Sequence, residues 1–102
     1  MKVIKCLIES MYMELEAAEC YYHKAVKYKE DYPQLASTYI EIANQELQHC
    51  DKFHAQAVTQ ITKYKQTSEE VPEAMKAVWD YEHQCIVEDY DELRYKISKF
   101  NI

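Results

Sequence analysis

The sequence contains no glycine in 102 residues, and this absence constrains the fold more than any other feature. Tight β-hairpin turns need residues that tolerate positive φ, and glycine is the residue that does so most readily. The chain has only two prolines, Pro33 and Pro72, and each stands where a long helical pattern is interrupted. An all-α fold is therefore predicted.

The first helix is predicted to run from about Lys2 to Lys29. Apolar side chains recur there at the spacing of three and four residues that is typical of an amphipathic helix. The predicted inner row is Ile4, Leu7, Met11, Leu15, Ala18, Tyr22 and Ala25.

Two breaks divide the rest of the chain. Asp31 and Gln34 have the spacing of a capping box, Pro33 fits the first turn of a helix, and the second helix is predicted to continue to about Tyr64.

Thr67 and Glu70 repeat that spacing before Pro72, and the third helix is predicted to end near Ser98. The predicted inner row of the third helix is Val71, Met75, Val78, Glu82, Cys85 and Asp89, widened by Ile86, Leu93 and Ile97.

Short connections between long helices make sequential neighbours antiparallel. We therefore predict a single domain over residues 1–102, folded as an antiparallel up-down-up bundle of three helices. A chain of this length buries a small core, so a second copy or a bound metal is expected to add to its stability.

Charge and composition exclude several classes of function. The net charge of −6 and the pI near 5.2 argue against nucleic acid as a partner, because phosphate binding needs clustered lysine and arginine. The first apolar stretch is short and carries Lys2, Lys5 and Glu9, so no membrane span is predicted. No pair of cysteines has Cys-x-x-Cys spacing, which predicts reduced thiols and a cytoplasmic protein. The cysteines are Cys6, Cys20, Cys50 and Cys85.

A carboxylate and an imidazole interrupt the apolar side of the second helix. Glu46 and His49 stand three residues apart, with Ile42 and Phe53 one turn away on either side. Glu14 interrupts the inner row of the first helix, and counting from the turn brings it level with His49. Carboxylates that face a core need a cation or hydrogen-bond partners. Oxygen and imidazole ligands together suit iron(II) or manganese(II).

Glu14, followed by Glu46-x-x-His49 on the next helix, resembles the half-site of the ferritin-like di-iron carboxylate superfamily. The resemblance covers about Met11 to Phe53, and the segment MELEAAECYY is most similar to the short encapsulated ferritin-like proteins. It implies a ferritin-like bundle that binds iron, with manganese possible, and oxidises iron(II) with dioxygen or peroxide. It also implies an enclosing shell protein as a possible partner.

The superfamily uses its Glu and Glu-x-x-His set twice, whereas this chain carries the set once. Two outcomes follow from the resemblance. Either a homodimer or a larger even-numbered assembly completes the site and a four-helix core, or the site is reduced, with Glu82 on the third helix as a further ligand.

Alternatives remain open at the level of sequence. Glu14, Glu46 and His49 could form a hydrogen-bonded core pair or a solvent face, and the whole chain could be a metal-free helical module for protein–protein interaction. Two other pairs, His23 with Glu19 and His54 with Cys50, have spacing that could hold zinc but is common at surfaces. His83 and Glu16 are predicted to point outward.

Overall fold

The computed structural model describes residues 2–66 and 73–101, and this part of the chain consists of three α-helices without a β-strand. Helix α1 spans Lys2–Tyr28, α2 spans Pro33–Gln66 and α3 spans Glu73–Ser98. The molecule measures 58 × 18 × 17 Å, because the long helices extend along one axis. The prediction of an all-α chain with three helices is confirmed.

The turn between α1 and α2 is closed by the backbone of Tyr32. Its N–H donates to the carbonyl oxygen of Tyr28 at 2.8 Å, and its own carbonyl oxygen accepts from the N–H of Ala36 at 3.0 Å. Tyr32 is therefore the residue that caps α2, one position later than the predicted Asp31. Pro33 takes the first helical position, where its missing N–H costs nothing. The capping box predicted for the third helix, Thr67 and Glu70, lies outside the described residues.

The core between α1 and α2 follows the predicted pattern. Met11, Leu15 and Ala18 of α1 are buried, while Leu7 and Tyr22 of the predicted row are half-buried. The buried residues of α2 include three alanines, which allow the two helices to approach closely. The buried residues of α2 are Ala36, Ala43, Leu47, Cys50, Ala57 and Ile61.

Helix α3 buries one side of its predicted stripe, with Ile86, Leu93 and Ile97 as predicted and Trp79 in addition. Trp79, Ile86, Leu93 and Ile97 are buried, whereas Val78 is 50% exposed. These residues follow one another at intervals of seven, seven and four, so they share one face of the helix. The predicted row was therefore wrong at Val78, which is exposed, and lacked Trp79, which is buried. Among the described residues, no helix has the length and hydrophobicity that crossing a membrane requires.

Trp79→Ala should lower the free energy of unfolding by about 3 kcal/mol, the usual cost of removing a buried aromatic side chain. The matched control is Val78→Ala, which removes a half-exposed side chain and should change stability by less than about 0.5 kcal/mol. Urea unfolding followed by circular dichroism measures both. Equal losses for the two variants would contradict the burial of Trp79.

Candidate metal centre

Glu14, Glu46 and His49 converge on one point between α1 and α2. Their ligand atoms all lie within 4.8 Å of one another. Nδ1 of His49 is 3.4 Å from Oε2 of Glu14 and 3.8 Å from Oε2 of Glu46. The structure thus brings together three of the four metal ligands that the sequence predicted.

Local packing holds the three side chains in place. Glu46 and His49 are one turn apart on α2, and each is adjacent in sequence to a buried residue, Leu47 and Cys50 respectively. Glu14 precedes the buried Leu15 on α1. Because the backbone beside each ligand is anchored in the core, the ligands start from fixed positions.

One oxygen of Glu14 is buried without a hydrogen bond, and lies 3.4 Å from Nδ1 of His49. Its Oε2 is shielded from solvent and accepts no hydrogen bond from any residue that the structure describes. An unsatisfied buried acceptor costs about 1–3 kcal/mol, and more when it is charged. Bonds of about 2.1 Å to one ion place its donor atoms about 3.0–4.2 Å apart, close to the distances measured here. The residues present therefore fit a divalent metal.

The surroundings of Glu46 favour its protonated form. A hydrogen bond with Glu14, together with burial and the negative charge of Glu14, raises the pKa of Glu46, and His49 opposes this shift. The nearby Cys50 remains a neutral thiol, since burial and the charges of Asp51 and Glu14 raise its pKa to about 11. The hard donors of the cluster are thus two carboxylates and one imidazole.

We expect an acid-dependent contribution to stability from Glu46. Its pKa in the folded chain is raised above the ordinary value of 4.5, so the proton stabilises the folded state fully below about pH 4.5, and this contribution is lost as the pH rises through the raised pKa. Urea unfolding in chelator at a series of pH values measures it. Glu46→Gln is the control, because it cannot titrate, and an unchanged pH profile in that variant would contradict the assignment.

Glu82 does not reach the cluster. Its carboxylate accepts a hydrogen bond from the hydroxyl of Tyr12 on α1, and together with burial this raises the pKa of Tyr12. Tyr12 and Glu14 are two residues apart and so point about 200° away from each other. Glu82 therefore lies at the predicted height along the bundle but on the other side of α1.

Two histidines form a contact that the sequence analysis missed. Nε2 of His54 lies 2.8 Å from Nε2 of His83, and His83 also stacks on Trp79. His83 is half-buried, not on the surface as predicted. The available signal was its position four residues after Trp79 and three before Ile86, which places it on the buried face of α3. The predicted surface pair of Glu19 and His23 is exposed, with 3.6 Å between Oε1 and Nε2.

Around the metal cluster, α1 and α2 present a face that α3 does not cover. We call it the ligand face. It contains half-buried and exposed apolar side chains at helical spacing on both helices, with the three ligands in the middle. The apolar members are Leu7, Ala17, Tyr21, Leu35, Tyr39, Ile42 and Phe53.

We compared the sequence and the fold with those of known proteins. The sequence matches no protein-family model and no curated protein, and its fold matches no solved structure, at a significant level.

Proposed function

We propose that this chain is an iron-binding protein of ferritin-like type that supplies half of a di-iron site and acts as an iron oxidoreductase. The observation that supports the proposal best is the buried Oε2 of Glu14, which accepts no hydrogen bond and lies beside the donor atoms of Glu46 and His49. A carboxylate in that environment needs a cation. Two oxygen ligands and one nitrogen ligand suit iron(II), and manganese(II) as an alternative.

Each ligand has a separate task in this proposal. Glu14 and His49 would hold an ion as terminal ligands, and Glu46, or its symmetry mate, would be the carboxylate shared by two ions. When bound, iron(II) supplies the electrons that reduce dioxygen or peroxide. The negative charge of the two half-buried carboxylates would favour the more highly charged iron(III) product.

The contacts between helices support an up-down-up arrangement. Tyr21 of α1 stacks on Tyr39 of α2, and Glu14, earlier in α1, contacts His49, later in α2. These pairs run in opposite directions along the two helices, as expected for antiparallel neighbours.

The contacts between α2 and α3 also run in opposite directions along the two helices. Asp51 accepts a hydrogen bond from the hydroxyl of Tyr90 at 2.9 Å. His54, later in α2, contacts His83, earlier in α3. The short turn at Tyr32 is consistent with this topology.

A second copy of the chain is the proposed partner. One chain holds Glu14, Glu46 and His49, and Glu82 lies apart from them, so a two-fold axis is the simplest way to assemble two sets of ligands. The ligand face is the surface that such an axis would cover, which would give a four-helix core from two α1–α2 pairs. An enclosing shell protein remains part of the proposal, as does a cytoplasmic location, which the four free thiols support.

The test is to purify the protein without chelators and measure its metal content, then to add iron(II) in air and follow the absorbance in the near ultraviolet. We expect bound iron or manganese, and an absorbance that grows with iron(II) and saturates. The Glu46→Ala variant should show neither. A parent protein without metal and without an iron-dependent absorbance would favour the metal-free interaction module.

A further inference from the structure

The histidine pair between α2 and α3 lies outside the proposed iron centre. His54 comes from α2 and His83 from α3, and their Nε2 atoms are within hydrogen-bond distance at 2.8 Å. The ring planes differ by 19° and the ring centroids are 5.0 Å apart. The nitrogens of two separate helices are thus directed at each other, an arrangement that side chains on a solvated surface do not need.

The surroundings hold the pair in this orientation. The indole of Trp79 packs on the ring of His83 with centroids 4.9 Å apart and planes 22° from parallel. Both histidines are half-buried. The two rings are thus held between α2 and α3 by their contact with each other and by the packing of Trp79.

Carboxylates are placed beside both rings. Asp80 stands three residues before His83, and Asp51 stands three residues before His54, so each helix repeats the carboxylate-x-x-His spacing of the proposed iron centre. Asp51 is engaged by the hydroxyl of Tyr90, whereas Asp80 is exposed and acts on His83 through its charge.

We propose that His54 and His83 form a second metal site that binds zinc(II) or a similar nitrogen-preferring divalent transition metal, with water in the remaining coordination positions. Imidazole suits zinc, nickel and copper, whereas the oxygen-rich cluster of Glu14, Glu46 and His49 favours iron(II) and manganese(II). The two sites therefore sort metals by their donor atoms.

Zinc fits this pair after the rings move apart and tilt. Two nitrogens bound to one tetrahedral zinc ion at about 2.0–2.1 Å stand about 3.4 Å apart, so the nitrogens need to separate by about 0.6 Å, and each ring needs to tilt by about 35° to direct its lone pair at the ion. The proton that the two Nε2 atoms share moves to Nδ1 of its own ring. Both nitrogens then present lone pairs, both rings stay neutral, and no proton is lost.

Binding there would connect α3 to α2. The two ligands come from different helices, so zinc stabilises the state in which α3 is packed, by mass action on that state. This role is structural and does not depend on the iron proposal.

The experiment uses the full chain with Glu46→Ala and His49→Ala, which removes the oxygen-rich cluster. Zinc binding is measured by isothermal titration calorimetry in this background and after a further His83→Phe or His54→Phe change, each of which keeps a ring but removes the nitrogens. We expect about one zinc per chain in the background and an affinity at least roughly tenfold lower in either phenylalanine variant. His23→Phe, at an exposed histidine, should leave the affinity unchanged.

A second measurement uses the unmodified chain, so it does not depend on how the variants fold. Imidazole ¹⁵N resonances are recorded during a zinc titration, and Nε2 of His54 and His83 should shift in step with zinc while those of His23 stay in place. Unmoved His54 and His83 resonances, or equal zinc affinity in the phenylalanine variants, would overturn the second site. Loss of iron binding in Glu46→Ala bears only on the first site, so the two proposals can fail separately.

Discussion

Alanine at Glu46 or at His49 should lower the affinity for iron(II) and manganese(II) by at least about 100-fold and leave the chain helical. Changes to residues that only support metal ligands already cost about 10–100-fold, so the loss of a ligand should cost at least as much. In chelator, the free energy of unfolding of Glu46→Ala should equal or exceed that of the parent protein. The reason is that the variant lacks a carboxylate whose negative charge is disfavoured beside that of Glu14. Metal binding is measured by equilibrium dialysis and unfolding by urea titration.

Glu16→Ala is the matched control for these variants. Glu16 lies on the same helix as Glu14 but is exposed, so its removal should leave metal affinity unchanged. Strong metal loss in Glu16→Ala would mean that α1 presents a different face to the metal. Unchanged metal affinity in both Glu46→Ala and His49→Ala would show that these residues are not metal ligands.

Metal should shift the chain from monomer towards dimer. If each half-site depends on its mate, metal binds the dimer in preference to the monomer, and a metal concentration 100 times the dissociation constant favours the bound state by about 2.7 kcal/mol per site. That is an increase of about 100-fold in the association constant for each site. Sedimentation velocity in iron(II) or manganese(II), and in chelator, measures the shift at a protein concentration that populates both states.

The surface used for association is tested with a pair of variants. Phe53→Glu places a charge on the ligand face and should keep the protein monomeric even with metal. Val58→Glu is the control, since Val58 is 43% exposed and lies about 140° round α2 from Phe53. A protein that binds metal and stays monomeric would show that one chain holds the ion alone.

The metal cluster was predictable because its geometry is set within regular helices. Glu46 and His49 are fixed by the spacing of α2, and Glu14 is fixed by its place beside the apolar row of α1 and by the length of the turn. Glu14 and His49 are separated from the turn before Pro33 by nearly equal numbers of residues, so they lie at the same height along the two helices. The same reasoning gave the correct number of helices and the burial of α1.

The placement of α3 was less predictable, because rotation about a helix axis is decided by side-chain packing and the periodicity of α3 is weak. Its height along the bundle was correct, since Glu82 lies level with Tyr12. Ile86, Leu93 and Ile97 of the predicted stripe are buried, but the centre of the buried face is rotated from the predicted Val78 to Trp79. The same rotation carries His83 from the predicted surface to the contact with His54.

All three ligands of the proposed iron centre come from α1 and α2, and this has a consequence for amide hydrogen exchange. Metal stabilises only the states in which its ligands are assembled, so it should slow exchange in α1 and α2 by suppressing their separation. Helix α3 contributes no ligand to that cluster and can open while α1 and α2 stay paired. Its amides, including those around Ile86 and Leu93, should therefore exchange through an opening whose rate iron does not change.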